Sequence, residues 1–230
     1  MYNMYCNLSQ GRNERKEYMI KCVIFDFDGT LADTARQIMD VYNIIAEKYG
    51  YEKRDMDDFH LLKQMNLSTA MQLVDIPIKK MPSLIKEGQK IFKNYVHEVD
   101  SFTDNLADIL RKIKELCGTV GIISSNTKKN IRIFLEQRGI DCMDFVISSP
   151  LFTKETKIKT IMSKYRFFAS DVLYVGDETR DVDSARKAGV RSVAVTWGWT
   201  GKELLKKHSP DYIIDSFDEL LPVIVQAGNE

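Results

Sequence analysis

The stretch Val23-Ile24-Phe25-Asp26-Phe27-Asp28-Gly29-Thr30-Leu31 constrains this chain more than any other. A short apolar run enters one carboxylate, a second carboxylate follows two positions on, and Gly-Thr ends the run. Such a run, bounded by a turn signal, reads as a fully buried strand of a parallel sheet. Side chains alternate along a strand, so Asp26 and Asp28 would share one side if the strand continued. Gly29 disfavours continuation and places the pair where the chain opens out. Two carboxylates this close repel each other and cost stability unless positive charge stands between them. A hard divalent cation held by oxygen ligands meets that need. The plainer alternative is an Asp pair on an edge strand facing water, and the apolar flanks argue against an edge.

The pattern beyond this strand separates two styles. Ile38, Val41, Tyr42, Ile45, Ala46 and Tyr49 recur at helical spacing, and Gly50 stops that helix. From Arg54 to Val99 the pattern stays helical but broken. Phe59, Leu61 and Leu62 form one piece, Leu67, Met71, Leu73 and Val74 another, and Leu84, Ile85, Ile91, Phe92, Tyr95 and Val96 a longer one after Ile76-Pro77. A connection of roughly 65 residues is too long for an ordinary loop and predicts a small all-helical insert. After it, helix and strand alternate. Thr103 or Asp104 is placed to cap a helix carrying Leu106, Ile109, Leu110 and Ile113. Strands are predicted at Val120–Ile123, Phe145–Ile147, Val172–Val175, Ser192–Thr196 and Tyr212–Ile214, with helices between them. This alternation predicts an α/β fold: a Rossmann-like parallel sheet covered by helices on both faces, with the small all-helical cap inserted after the first strand. The expected organisation is a tail over 1–18, a core over 19–33 and 101–230, and a helical cap over 34–100.

Ligands of such sheets bind outside the carboxyl ends of the strands. Three apolar strands end there in polar residues: the first in Asp26 and Asp28, the second in Ser124, and a third in Gly176-Asp177-Glu178-Thr179-Arg180-Asp181. One strand-end Asp or Ser often just caps the next helix, and Asp177 taken alone could be such a cap. Acids concentrated at one sheet edge point instead to a metal site.

Together these residues resemble the haloacid dehalogenase-like (HAD) phosphohydrolases. The first signature, Asp-x-Asp-Gly-Thr, is matched by Asp26 to Thr30. A Ser/Thr after the second core strand is matched by Ser124, and Gly-Asp-x-x-x-Asp by Gly176, Asp177 and Asp181. The helical insert matches the helical-cap subclass. Val195-Thr196-Trp197-Gly198-Trp199 and Ser209 to Asp215 resemble the phosphoglycolate-phosphatase-like branch. The resemblance covers nearly all of the chain beyond the tail. It implies a phosphatase acting on a small phosphorylated metabolite, with Asp26 as nucleophile forming an aspartyl-phosphate and Asp28 as acid and then base. It implies Mg²⁺ held by Asp26, the main-chain carbonyl of Asp28, and Asp177, with Asp181 and Gly176 in support. Ser124, with the Ser125 and Asn126 amides, would bind phosphate oxygens. A lysine would neutralise charge on the transferring group, and Phe152-Thr153-Lys154-Glu155-Thr156-Lys157 offers two. The family's usual Lys-Pro is absent; the Phe-x-Lys context favours Lys154 over Lys157.

Two other readings remain. A phosphosugar mutase of the same cap subclass would use the same Asp pair, and a non-catalytic binding module could share the fold. A dehalogenase is disfavoured by the second acid, Asp28. The insert carries ten Lys/Arg and ten Asp/Glu, which gives no hint of a polyanionic substrate. Arg36, Arg54, Lys63, Gln64 and Asn66 could reach a substrate, but each is more simply a solvated surface residue. Trp197 and Trp199 could line the mouth of the site or serve only as packing.

Composition narrows the partners. Lys+Arg and Asp+Glu balance at 33 each, which argues against nucleic acid as the main partner. No apolar run approaches the ~18 residues of a membrane span. The four cysteines show no paired metal spacing, and Cys22 and Cys117 read as small buried hydrophobes, as expected in a reducing cytoplasm. Met1 to Lys16 lack the apolar segment of a secretory signal. Residues 1 to about 17 show no helical or strand period and read as a loose, flexible tail; because Met19 is a natural start for the first strand, the alternative is that this tail is a misplaced start site. Mass spectrometry of the native protein checks this; an intact Met1 end would overturn it.

Overall fold

Burial along the first strand sets the architecture. A computed structural model of the chain describes residues 19–62, 65, 69, 76–150 and 153–230. In β1 (Cys22–Phe25), Val23 and Phe25 enter one apolar cluster while Cys22 and Ile24 enter another. All four are fully buried, as a central parallel strand covered on both faces requires. The expected tail 1–18 lies outside the described residues, as do Lys63, Gln64, Asn66, Leu67, Met71, Leu73, Val74 and Phe152.

Five further parallel strands complete the main sheet: β4 (Thr119–Ser124), β5 (Phe145–Ser148), β6 (Val172–Gly176), β7 (Arg191–Val195) and β8 (Tyr212–Ile214). Their order is β5-β4-β1-β6-β7-β8. Val23 stands opposite Val120 on one side and Leu173 on the other. Helices α4 (Leu106–Cys117), α5 (Lys128–Gln137) and α9 (Leu220–Asn229) cover one face. They bring Ile109, Ile113, Phe134 and Ile224 to the cluster that holds Val23 and Phe25. Helices α6 (Lys154–Tyr165) and α7 (Thr179–Ala188) cover the other, with Ile158, Ile161 and Ala185 against Ile24 and Tyr174. The short α8 (Lys202–Lys207) packs Leu205 beside Ala194.

The insert follows β1. It contains α1 (Ala35–Tyr49), α2 (Met56–Leu62) and α3 (Met81–Phe92). The expected helical period holds: Val41 and Ile45 of α1 are buried, as are Leu84 and Phe92 of α3. Gly88 lets the two helices close up, since a Cβ there would lie 3.3 Å from Val41. This packing is continuous with Phe27 and Leu31 of the main core. Lys79, Lys80, Lys86, Lys90 and Lys93 are exposed.

Asp33 lies in β2 (Ala32–Asp33), which pairs antiparallel with β3 (Asp100–Ser101). This two-residue ribbon joins the ends of the insert. Neither Thr103 nor Asp104 caps α4; Asn105 holds the N-cap position, without a side-chain cap bond. The Thr103 hydroxyl is spent on the Asn105 side chain instead.

Phe134 packs edge-on against Phe27 at 5.1 Å between ring centroids and carries the Arg138 guanidinium on its face at 4.0 Å. Phe134→Ala should lower stability by about 3–5 kcal/mol, read as a reduced denaturation midpoint in urea with unchanged m-value.

Candidate active site

The strand order turns about β1. From it, β4 and β5 build outward on one side, and β6, β7 and β8 on the other. The crevice at such a point lies beyond the carboxyl ends of the strands. Asp26 follows the last residue of β1, Ser124 ends β4, and Asp177 follows β6. Parallel pairing of β1 with both neighbours brings the three strand ends together.

Asp26 is 4% exposed. Its Oδ1 accepts the Phe27 main-chain N–H at 2.8 Å, and its Oδ2 accepts Lys154 Nζ at 2.6 Å. Lys154 also donates to Asp181 Oδ1 at 2.5 Å. Asp181, in the first turn of α7, accepts the Glu178 main-chain N–H through its other oxygen at 3.1 Å. Asp177 does not cap α7; Glu178 holds that position. Instead Asp177 is fully buried and accepts the Thr30 hydroxyl and the Trp199 main-chain N–H, each at 2.7 Å. Asp28 points toward β4. It accepts Asn126 Nδ2 at 3.0 and 3.2 Å and lies 3.4 Å from the Ser124 hydroxyl. The Asn126 main-chain N–H donates to Ser124 Oγ at 3.1 Å. Ser125 offers its carbonyl to Gln89 Nε2 of α3 at 2.6 Å.

Charge explains this arrangement. Burial, then the neighbouring Asp26, pushes the Asp28 carboxyl up to about 7. Burial pushes Asp181 up to about 6, although Lys154 opposes it. Asp177 is raised well above the usual range by burial and then by Glu178, Asp181 and Asp26. Burial pulls the Lys154 ammonium down, but Asp181 and Asp26 more than offset it, so its proton is held firmly. Arg180 pairs with Glu178. One carboxylate oxygen each from Asp26, Asp177 and Asp181 lie within 4.8 Å of one another. A compact set of hard oxygen donors with excess negative charge fits a divalent cation such as Mg²⁺.

Two glycines make the cluster possible. Gly29 has φ of +77°, and a Cβ there would lie 2.2 Å from Asp177 Oδ2 and 2.3 Å from Trp199 Cδ1. A Cβ on Gly198 would lie 2.2 Å from the Asp177 Cβ and 2.4 Å from the Gly29 carbonyl. The two Trp residues divide their tasks. Trp197 stacks on Phe217 at 4.6 Å and donates its indole N–H to the Thr30 carbonyl at 3.1 Å, which is packing. Trp199 lines a cavity of about 420 Å³ that reaches from Asp28, Ser125 and Asn126 into the insert, past Tyr42, Phe59 and Ile85. Phe59 of α2 meets the Trp199 ring edge-to-face at 5.7 Å.

The residues singled out in the sequence thus converge at the ends of the strands in three groups: Lys154 with Asp26 and Asp181, Asp177 with Thr30 and the Trp199 amide, and Asp28 with Asn126 and Ser124. Gly176 leaves room for Asp181, since a Cβ there would lie 2.6 Å from it. Lys157 is half-buried, one turn along α6. Arg36 is exposed, and Arg54 pairs with Glu52 at 2.7 Å. Sequence reasoning missed Thr30, Gln89, Asn130 and the Trp199 amide. Thr30 carried a signal, being part of the first motif; Gln89 and the Trp199 amide bond across distances that no local pattern reports, and Asn130, four residues from Asn126, is tied by its second bond to Gln89, 41 residues away.

Comparison with known proteins agrees with this geometry. The model of the haloacid dehalogenase-like hydrolase family matches residues 23–195. A phosphoglycolate phosphatase of Synechococcus elongatus is 30% identical over 209 residues, covering 90% of this chain and 98% of that protein. A putative pyrophosphatase PpaX of Caldanaerobacter subterraneus subsp. tengcongensis is 27% identical, covering 89% and 94%. The crystal structure of a predicted phosphatase from Clostridium acetobutylicum superposes with a TM-score of 0.75 at 25% identity, covering 90% of this chain and 99% of that one. The chain belongs to the haloacid dehalogenase-like hydrolase family. Within it, the chain is a HAD-like phosphatase. No helix among the described residues is long and apolar enough to cross a membrane.

Removing a partner from a buried ion network leaves charge uncompensated. Lys154→Ala should cost about 3–5 kcal/mol of stability and all measurable turnover, whereas Lys157→Ala should stay within about 0.5 kcal/mol of wild type. Denaturant melts and turnover of the two variants check this. Loss of turnover in the Lys157 variant alone would reverse the assignment.

Proposed function

We propose that this protein is a Mg²⁺-dependent phosphatase that hydrolyses a small-molecule phosphomonoester through an aspartyl-phosphate on Asp26. The observation that carries the reading is the buried Asp26 carboxylate, held between the Lys154 ammonium and the Phe27 amide at the end of β1. A carboxylate fixed at both oxygens is presented to a substrate phosphorus with little freedom to lose.

The steps follow from the residues. Asp26 attacks phosphorus and forms an acyl phosphate as the ester oxygen departs. Asp28, steered by Asn126, gives the departing oxygen its proton. It then takes a proton from water as that water attacks the acyl phosphate, and free Asp26 and inorganic phosphate result. The Ser124 hydroxyl and the loop that follows it face the phosphate oxygens, and Lys154 offsets their charge together with that of Asp26. Asp26, Asp177 and the Asp28 main-chain carbonyl would hold Mg²⁺, with Asp181 in support. When bound, the ion would neutralise charge on the carboxylates and the transferring group. Residues 34–100 act in this reading as a cap. Its contacts with the core, Phe59 on Trp199 and Gln89 on Ser125, suit closure over the site that excludes water during the first step.

The phosphoglycolate phosphatase relative supports a small phosphomonoester as substrate, and the balanced charge of the insert suits one of modest charge. The test is turnover of a panel holding phosphoglycolate, sugar phosphates, nucleotides and pyrophosphate, with Mg²⁺ or chelator, on wild type and Asp26→Asn. Hydrolysis that needs Mg²⁺ and vanishes in Asp26→Asn is expected; full activity in that variant would sink the reading. Without substrate, Mg²⁺ at about 100 times its Kd should add roughly 2.7 kcal/mol of stability. That gain, read as a rise in Tm, should be lost in Asp177→Asn.

A further inference from the structure

Asn130 stands outside every motif discussed so far, yet it is bonded into the site. It lies in the first turn of α5 and is 1% exposed. Its Nδ2 donates to Asn126 Oδ1 at 3.0 Å and to the main-chain carbonyl of Gln89, on α3 of the insert, at 3.1 Å. Asn126 Oδ1 also accepts the main-chain N–H of Thr127 at 2.8 Å.

A main-chain N–H only donates and a main-chain carbonyl only accepts. Thr127 therefore fixes which end of the Asn126 carboxamide is oxygen, and the Gln89 carbonyl fixes which end of the Asn130 carboxamide is nitrogen. With its oxygen bound by two donors, Asn126 must turn its nitrogen the other way. There Nδ2 reaches both oxygens of Asp28, at 3.0 and 3.2 Å. A reversed Asn126 amide would set oxygen against the Asp28 carboxylate and nitrogen against the Thr127 N–H. Each contact in the chain from Gln89 to Asp28 thus depends on the one before it. The neighbouring bond from Gln89 Nε2 to the Ser125 carbonyl, at 2.6 Å, ties the same turn of α3 to the same loop.

We propose that Asn130 is a positioning residue for the phosphatase reaction. It sets the Asn126 amide, and through it the Asp28 carboxyl, and it shares its amide nitrogen with the insert, so docking of α3 and orientation of Asp28 meet at one group. This rests on the reading of Asp28 as the acid–base residue.

The experiment uses the full chain and whichever panel ester wild type hydrolyses best. It measures kcat, KM and Tm for Asn130→Ala, Asn126→Ala and the double variant, with Asp26→Asn as control. Removal of a residue that orients a functional group commonly costs about 10–100-fold. Asn130→Ala should lose that much in kcat while KM stays within about threefold. The double variant should be about as slow as Asn126→Ala alone, because both changes break one chain of bonds. Asn130→Asp, which sets an acceptor against the Asn126 oxygen and the Gln89 carbonyl, should be at least as slow as Asn130→Ala. If Asn130→Ala does not fold, Asn130→Ser, whose side chain is too short to span both acceptors, should show the same kcat loss. Wild-type kcat in a folded Asn130 variant, or losses that multiply in the double variant, would overturn the inference while the phosphatase reading stands. Turnover that survives Asp26→Asn, or its absence from wild type, would remove both.

Discussion

The ion network of Lys154 with Asp26 and Asp181 is the interaction on which the rest of the site depends. Four carboxylates, Asp26, Asp28, Asp177 and Asp181, stand at the end of the sheet, three of them almost wholly buried. Carboxylates removed from water and set beside one another are costly to keep charged. Lys154 offsets two of them directly, and hydrogen bonds from Thr30, the Trp199 amide and Asn126 serve the others. The residual imbalance shows in the raised carboxyls of Asp28, Asp177 and Asp181. The cluster of Asp26, Asp177 and Asp181 is one that could hold a metal ion.

The fold supplies rigidity for this at small cost. Each acid is fixed by a strand end or a helix start rather than by a long loop, so little chain entropy opposes the arrangement. Asp26 hangs from the central strand, whose main-chain ladder runs through β4 and β6. Lys154 is the first residue of α6, and α6 packs against the sheet through Ile158 and Ile161. Gly29 and Gly198 let the first motif and the Trp199 loop approach Asp177 from both sides, closer than any side chain would permit.

Among the described residues the insert meets the core through the two-residue ribbon of β2 and β3, the shared apolar cluster beneath α1 and α3, the Phe59–Trp199 ring contact, the polar contacts of Gln89 and the bond of Arg138 to the Val99 carbonyl. Asn130, bonded to both Asn126 and the Gln89 carbonyl, lies where α3 of the insert meets the loop after β4.

The sequence by itself determined the layers of this protein and the position of its acids along the chain. Buried parallel strands need continuous apolar runs and covering helices need a 3.6-residue period, and both patterns are local, so Val23–Phe25, Val172–Val175 and the faces of α1, α3 and α4 were legible. The acids were legible for the same reason: Asp26 and Asp177 directly follow strands whose ends could be read, and Asp28 and Asp181 come two and four residues after them. Pairing across the chain was decided only by the tertiary structure. Thr30 and Asp177 are 147 residues apart, and Asn126 meets Asp28 across 98; no local period encodes which distant groups meet. Between Lys154 and Lys157, one turn of helix apart, the sequence favoured Lys154 only through its Phe-x-Lys context; what each ammonium touches is set by the start of α6, which puts Lys154 between Asp26 and Asp181. The division between Trp197 as packing and Trp199 as cavity wall likewise follows from what each ring touches, and neighbouring residues of one loop carry no sign of that in their order.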